Sequence, residues 1–368
     1  MSSVLTTTQN ECTKCAKLTT LYCSRCVGAP ASTDLIQRET TYYCSKACQR
    51  NDWPDHKLHC KSSTLRRSLC RVGDTVQKAL YLFREQVFEA TIEKIERATD
   101  TITIYQGLTK RKPEMPLPTD IFRNEQEKQS ILVFQSCDGP LIYIDKLLKV
   151  LLEEYEFEFK NKALQIKATD SIGRVHDYDR CVHVVLKVLL KNGEEYALDL
   201  TGAQYGYFET VIPFNEYKQS RVGTGVIREN MVFGARKRIY TDVKKTCISN
   251  GNDITLLLTY EKFAAAFNQA VRDWQKDNNL ELSDMLKLPE EGFVEMQEHF
   301  LSDVKKRLGE FAVKRDETSF HISGNTDNKE EPEMDTSFLP QIAELLSRYG
   351  IVHSNDDPET SNNIGITP

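Results

Sequence analysis

Apolar residues Leu80, Phe83, Val87, Ala90, Ile92 and Ile95 recur at close to helical spacing, which predicts a long helix over residues 63–100. Thr101 to Tyr105 alternates as a short strand and leads into a proline-rich connection, Pro113 to Pro118. Residues 129–135 read as an apolar strand or the start of a helix. Residues 139–155 carry a two-sided pattern with Pro140 in the first turn, which predicts one amphipathic helix. Val182 to Leu190 and Tyr196 to Leu200 are apolar runs flanking Lys191-Asn192-Gly193-Glu194, the signature of a hairpin. Helices are again expected over 253–275 and 292–312. From about residue 324 Asp, Glu, Asn, Ser, Thr and Pro dominate, as in a disordered acidic tail. Phe338, Leu339, Ile342, Leu345, Leu346 and Tyr349 form one short amphipathic helix inside it, suited either to docking on the body or to binding a partner.

The first sixty residues follow no such period. They carry Cys12-x2-Cys15-x7-Cys23-x2-Cys26-x17-Cys44-x3-Cys48-x7-His56-x3-Cys60. Eight ligands are enough for two structural Zn²⁺ ions, each closed by four N/S donors. A segment this short buries little apolar surface, so metal would supply most of its folding energy. The expected fold class is therefore α+β: a small two-zinc finger (1–62), a mixed helix and antiparallel-sheet body (63–323) and the tail (324–368).

Composition narrows the surroundings and the partner. The chain of 368 residues is 40% hydrophobic and 28% charged, as in ordinary globular proteins. No apolar run is long enough for a membrane helix, and the first twenty residues lack the features of a secretory signal. The remaining cysteines, Cys70, Cys137, Cys181 and Cys247, are scattered, which suits a reducing compartment, nucleus or cytoplasm. Lys110-Arg111-Lys112 and Arg236-Lys237-Arg238 are short basic runs whose plain reading is solvated charge. Net charge is −6. Residues 1–62 hold eight Lys/Arg and five Asp/Glu, so seven thiolates and two Zn²⁺ leave the loaded finger near neutral. That charge argues against nucleic acid and for a protein partner.

The string Tyr43-Cys44-Ser45-Lys46-Ala47-Cys48-Gln49-Arg50-Asn51-Asp52-Trp53-Pro54-Asp55-His56-Lys57-Leu58-His59-Cys60 closely resembles the MYND zinc-finger family. The resemblance covers about fifty residues. It implies interleaved sites, with Cys12, Cys15, Cys44 and Cys48 on one zinc and Cys23, Cys26, His56 and Cys60 on the other. His59 is left over as a surface histidine. The gap between Cys26 and Cys44 is longer than the family usually shows, and Gly28 to Ser32 suggests a surface loop there. The resemblance also implies binding of a short proline-containing peptide near Ser45, Gln49 and Trp53, although Trp53 equally suits a cover for the zinc layer. Many members are SET-domain lysine methyltransferases in which the finger interrupts the SET fold and an Asn-His string follows. Here eleven residues precede Cys12 and no Asn-His pair occurs, which argues against that enzyme.

One constellation in the body loosely resembles the transglutaminase-like and papain-like cysteine enzymes. Cys137 precedes the 139–155 helix, His183 lies in the first hairpin strand, and Asp199 lies in the second. The helix N-terminus would favour the thiolate, histidine would take the proton, aspartate would orient the imidazole, and Gln135 or nearby amides would face an oxyanion. The turn decides whether this is possible. A two-residue Asn192-Gly193 turn sets Asp199 opposite Leu186, away from His183. A three-residue turn bulged at Gly193 sets it opposite Val185, on the His183 face. Against this stand the family's missing tryptophan and the ordinary roles of buried cysteine and core histidine. Arg221-Val222-Gly223-Thr224-Gly225 lacks the context of a phosphate loop, and His176-Asp177-Tyr178-Asp179 reads as solvated loop. The function expected is zinc-dependent protein recognition, as an adaptor or regulator of transcription. The alternative is a cysteine hydrolase or acyltransferase whose finger recruits substrate.

Overall fold

The computed structural model describes residues 9–32, 38–88, 90–98, 102–110, 117–118, 120–153, 158–166, 183–222, 228–231, 233–249, 254–322 and 364–366. Expectations for residues 113–116, 176–179, 223–225 and the 338–349 helix lie outside that set. Among its described residues the strands of the finger are two residues long: β1 (Asn10–Glu11) pairs with β2 (Leu18–Thr19), and β3 (Ala29–Pro30) with β4 (Arg38–Glu39). Ladders this short hold nothing alone. They lead into α1 (Lys46–Val87), a 42-residue helix. Ser45 caps it by accepting from the Cys48 amide at 3.2 Å. Residues 62 and 63 lie inside this helix, so one element serves both finger and body.

The helix does not continue to residue 100. Phe88 is extended, and Ala90–Arg97 (β5) pairs antiparallel with Ile102–Lys110 (β6). Ala90 and Ile95 keep a loose helical interval from Val87 but Ile92 does not, and β-branched Thr91, Ile92 and Ile95 favour the strand. Arg97 locks the hairpin down with two bonds to Glu127 (2.6 and 2.9 Å). Glu127 lies in α2 (Glu125–Leu132), which is capped by Asn124.

The helix expected over 139–155 is two helices, α3 (Gly139–Tyr143) and α4 (Asp145–Glu153), parted at Ile144. Lys237 accounts for the break: its ammonium bonds the Ile142 carbonyl and lies 3.2 Å from Asp145. A carbonyl engaged by a side chain is drawn away from the helical ladder.

The central sheet is antiparallel. Its strands are β7 (Glu158–Ile166), β8 (His183–Leu189), β9 (Glu195–Leu198), β10 (Val211–Pro213) and, after α5 (Phe214–Ser220), β11 (Arg228–Met231), in the order β10-β9-β8-β7-β11. Helices α6 (Ala235–Ser249), α7 (Thr255–Asn278), α8 (Leu282–Met285) and α9 (Glu290–Ile322) follow. Finally β12 (Ile364–Ile366) adds to the free edge of β6, with Ile364 opposite Ile104. No helix among the described residues is long and apolar enough to cross a membrane.

Alternation along β8 and β9 divides the packing. Val184, Leu186, Val188, Leu198 and Leu200 face the main core with Leu69, Val72 and Phe83 of α1, Trp274 of α7 and Phe300 of α9. Each such burial is worth about 1.5–3 kcal/mol. Val185 and Ala197 face the other way, onto Ile212, Phe214 and Tyr217.

The turn takes the bulged form. The Leu190 amide donates to the Glu194 carbonyl (2.8 Å), the Gly193 amide donates to Leu190 (2.9 Å), and Gly193 has φ +88°. Pairing of Leu186 with Leu198 then sets Asp199 opposite Val185.

Candidate functional site

Two clusters form the finger's centre. The ligand atoms of Cys12, Cys15, Cys44 and Cys48 lie within 4.8 Å of one another, as do those of Cys23, Cys26, His56 and Cys60. The pairing is interleaved: each cluster joins one early Cys-x2-Cys pair to two ligands at or within α1's amino-terminal turns. Distances test whether Zn²⁺ fits. A tetrahedral ion with Zn–S of about 2.3 Å and Zn–N of about 2.0–2.1 Å sets sulfurs about 3.8 Å apart and sulfur about 3.6 Å from nitrogen. The structure has Cys15–Cys44 at 3.4 Å, Cys44–Cys48 at 3.5 Å, Cys48–Cys15 at 3.7 Å and Cys23–Cys60 at 3.9 Å. Cys26 Sγ lies 3.5 Å from His56 Nε2. Both sets fit two Zn²⁺ ions, which close the four-ligand shells and supply folding energy.

The sites differ in exposure. All four ligands of the second are buried, whereas Cys15 is exposed and Cys44 and Cys48 are half-buried. The thiols also differ as acids. Hydrogen bonds from Cys26 and Cys60 hold Cys23 well below the ordinary thiol range, and the bond to Cys23 drives Cys26 up. In the first site the Cys44 backbone holds Cys12 down to about 6, while Cys15 and Cys48 push Cys44 up to about 12. Around the second site, Tyr43 packs edge-on against His56 and donates to Asp52 at 2.6 Å. Burial, then Asp52, pushes its phenol up, so it remains a donor.

Ser45, Gln49 and Trp53 follow at four-residue intervals along the start of α1 and share a face. Ser45 is the cap; Gln49 and Trp53 are half-buried. The Trp53 ring lies edge-on to His56, with centroids 6.1 Å apart. His59 sits 3.4 Å from Ser63 Oγ and 3.7 Å from Glu39, outside both metal clusters. Leu18, Leu21, Tyr22 and Leu58 are large exposed hydrophobics of the same finger.

In the body, the bulged turn brings His183 and Asp199 together. His183 Nε2 lies 3.0 Å from both carboxylate oxygens, and each residue is 1% exposed. The carboxylate also accepts from the Thr201 amide (3.2 Å) and the Tyr217 hydroxyl (2.9 Å). Burial pushes Asp199 upward, but His183, Arg221 and Tyr217 outweigh it and the net shift is down. Among the described residues His183 Nδ1 is buried without a hydrogen-bond partner, and the ring meets Tyr205 edge-on at 4.9 Å.

Cys137 lies in the turn before α3, lining a small pocket with Pro140, Leu141, Val184, Leu186, Leu198, Leu200 and Thr201. Those strand residues belong to the main-core face, whereas His183 and Asp199 share the face of Val185 and Ala197. The helix after Cys137 is a five-residue turn, so it offers the thiol little of the dipole a long helix would. Gln135 is exposed, with φ +51° and its amide bonded to Gln204.

Sequence reasoning did not reach Tyr217, Tyr205 or Thr201; a Phe214-x2-Tyr217 step on a short helix carries no motif. Arg236 and Lys237 hold Asp138 and Asp145 (both 3.2 Å), so that basic run is structural, and Arg221 is paired with Glu209. The family model for the MYND finger matches residues 11–60. No curated protein and no solved structure matches the chain.

Proposed function

We propose that this chain is an adaptor or regulator of transcription in the nucleus or cytoplasm, whose MYND finger receives a short proline-containing peptide. The observation that supports this most is the face formed by Ser45, Gln49 and Trp53. The zinc-site imidazole fixes the indole's attitude, and the half-buried Trp53 leaves part of its ring open to a partner. In this reading proline rings stack on the indole, Gln49 bonds the peptide backbone, and Ser45, whose oxygen already caps the helix, donates its proton. The near-neutral loaded finger suits such a ligand better than phosphate.

Fluorescence polarisation with labelled proline-containing peptides tests the groove. Gln49→Ala/Trp53→Ala should weaken binding by about tenfold or more, or about 1.4 kcal/mol, with zinc content unchanged. Equal affinity with full zinc would refute it.

One observation favours a second reading, a cysteine hydrolase or acyltransferase. His183 gives Nε2 to Asp199 and keeps Nδ1 unengaged, the division of labour a general base requires. In that reading Cys137 is the nucleophile, and because its pocket lies on the Leu186 side of the sheet its thiol has to move to reach Nδ1. Thiol-directed probes should then label Cys137 ahead of Cys70 and Cys247, and His183→Ala should abolish the selectivity. Unselective labelling would sink the enzyme.

A further inference from the structure

Helix α1 leaves the finger and, just past its last ligand Cys60, turns a row of donors back onto the loop carrying Cys23 and Cys26. Arg67 donates to Arg25 and Val27 carbonyls at 2.9 and 3.1 Å and Arg66 Nε donates to Pro30 at 2.8 Å, while Thr64 Oγ1, which donates to the Cys60 carbonyl at 2.7 Å, also lies 3.1 Å from the Arg25 carbonyl. The Arg25 and Val27 carbonyls bracket ligand Cys26. Arg66 then reaches across into the body. Its side chain is 3% exposed; Nη1 donates to Glu194 Oε1 at 2.9 Å, and Nη2 meets Ser63 at 3.1 Å and Glu39 at 3.6 Å. Glu194 is the turn residue whose carbonyl receives Leu190 and thereby defines the bulged register; its second carboxylate oxygen accepts from Tyr196 at 2.8 Å. One buried guanidinium thus grips a metal-site loop on one side and the β8–β9 turn on the other.

We propose that metal loading of the Cys23/Cys26/His56/Cys60 site locks the β8–β9 turn through Arg66, and so holds Asp199 on the face of His183. A buried guanidinium needs all its acceptors. When the Cys23–Pro30 loop is unfastened from metal, the Pro30 carbonyl is no longer fixed, Arg66 gains more from water, and Glu194 is released. The Asn192-Gly193 sequence suits a tighter two-residue turn. Burial of Leu198 and Leu200 in the main core opposes a full shift of register, so the freed turn opens locally and Asp199 is held less firmly on the His183 face. The lock needs no chemistry at Cys137 and no peptide on the finger.

Hydrogen exchange of the full chain, read by mass spectrometry, tests it. With zinc bound, the Leu190–Leu198 segment should be protected. Chelation should speed its exchange about tenfold or more while α7 stays protected, a coupling within the usual range between sites. In Glu194→Ala the segment should exchange fast even with zinc bound, with chelation adding less than about twofold. By reciprocity, Glu194→Ala should also weaken the second site's zinc affinity several-fold in an equilibrium competition against a chromogenic chelator. Three results would overturn the lock: protection unaffected by chelation, equal loss of protection in α7, or a wild-type response in Glu194→Ala.

Discussion

Gly73 and Gly309 both lie inside helices, and the same substitution at the two sites should have opposite effects. Glycine to alanine in a helix interior gains up to about 1 kcal/mol from propensity. At Gly309 an added Cβ meets nothing within 4 Å, so Gly309→Ala should stabilise by about 0.5–1 kcal/mol. At Gly73 the Cβ would sit 2.7 Å from Val211 Cγ2, 2.8 Å from Thr210 Oγ1 and 3.3 Å from Leu198 Cδ1. Val211 and Thr210 are β-branched, so neither is the far end of a flexible chain and α1 must shift. Overpacking of this kind costs about 1–3 kcal/mol, which outweighs the propensity gain. Gly73→Ala should therefore be less stable than wild type, and less stable than Gly309→Ala by about 1–3 kcal/mol, the propensity gain being common to both. Urea unfolding of zinc-loaded protein measures the difference. A Gly73→Ala protein as stable as Gly309→Ala would mean that α1 does not press on β9 and β10 as described.

Asp199→Asn replaces the charged acceptor of the buried imidazole and should cost about 1.5–3 kcal/mol at neutral pH. Because Asp199 is depressed in the folded state, its contribution is present above the ordinary carboxylate value and is lost as pH falls through the lower folded one. The stability gap between variant and wild type should accordingly narrow below about pH 4, and a gap constant to pH 2 would contradict the pairing. Chelator titration should remove zinc in two phases, the half-exposed Cys12/Cys15/Cys44/Cys48 site first. A single phase, or loss of the buried site first in Cys15→Ser, would speak against that order.

Much of this was legible because spacing constrains it. The eight ligands, the hairpin and its two permitted registers follow from residue order, and the bond from the Leu190 amide to the Glu194 carbonyl shows which register the chain takes. Other features depend on partners far along the chain. The Ile144 break follows from Lys237, some ninety residues later, and no local pattern announces a competitor for the Ile142 carbonyl. The end of α1 at Val87 was hidden because isoleucines at 92 and 95 satisfy a loose helical stripe and a strand alike. The Cys137 pocket belongs to the Leu186 side of the sheet through packing of α3 and α4, and sequence order does not fix which side a crossing helix takes. Arg66 reads as one more cation on a polar helix face until the fold brings Glu194 to it.

The interleaved two-zinc arrangement is the claim on which the finger and its lock both stand. Native mass spectrometry of paired cysteine variants tests it directly. Cys15→Ala/Cys48→Ala removes two ligands from one site and should leave one zinc ion bound. Cys15→Ala/Cys26→Ala removes one from each and should leave none. If the sites instead followed chain order, Cys15 and Cys26 would share a zinc, and the second variant would keep one ion. One zinc retained in Cys15→Ala/Cys26→Ala would contradict the account.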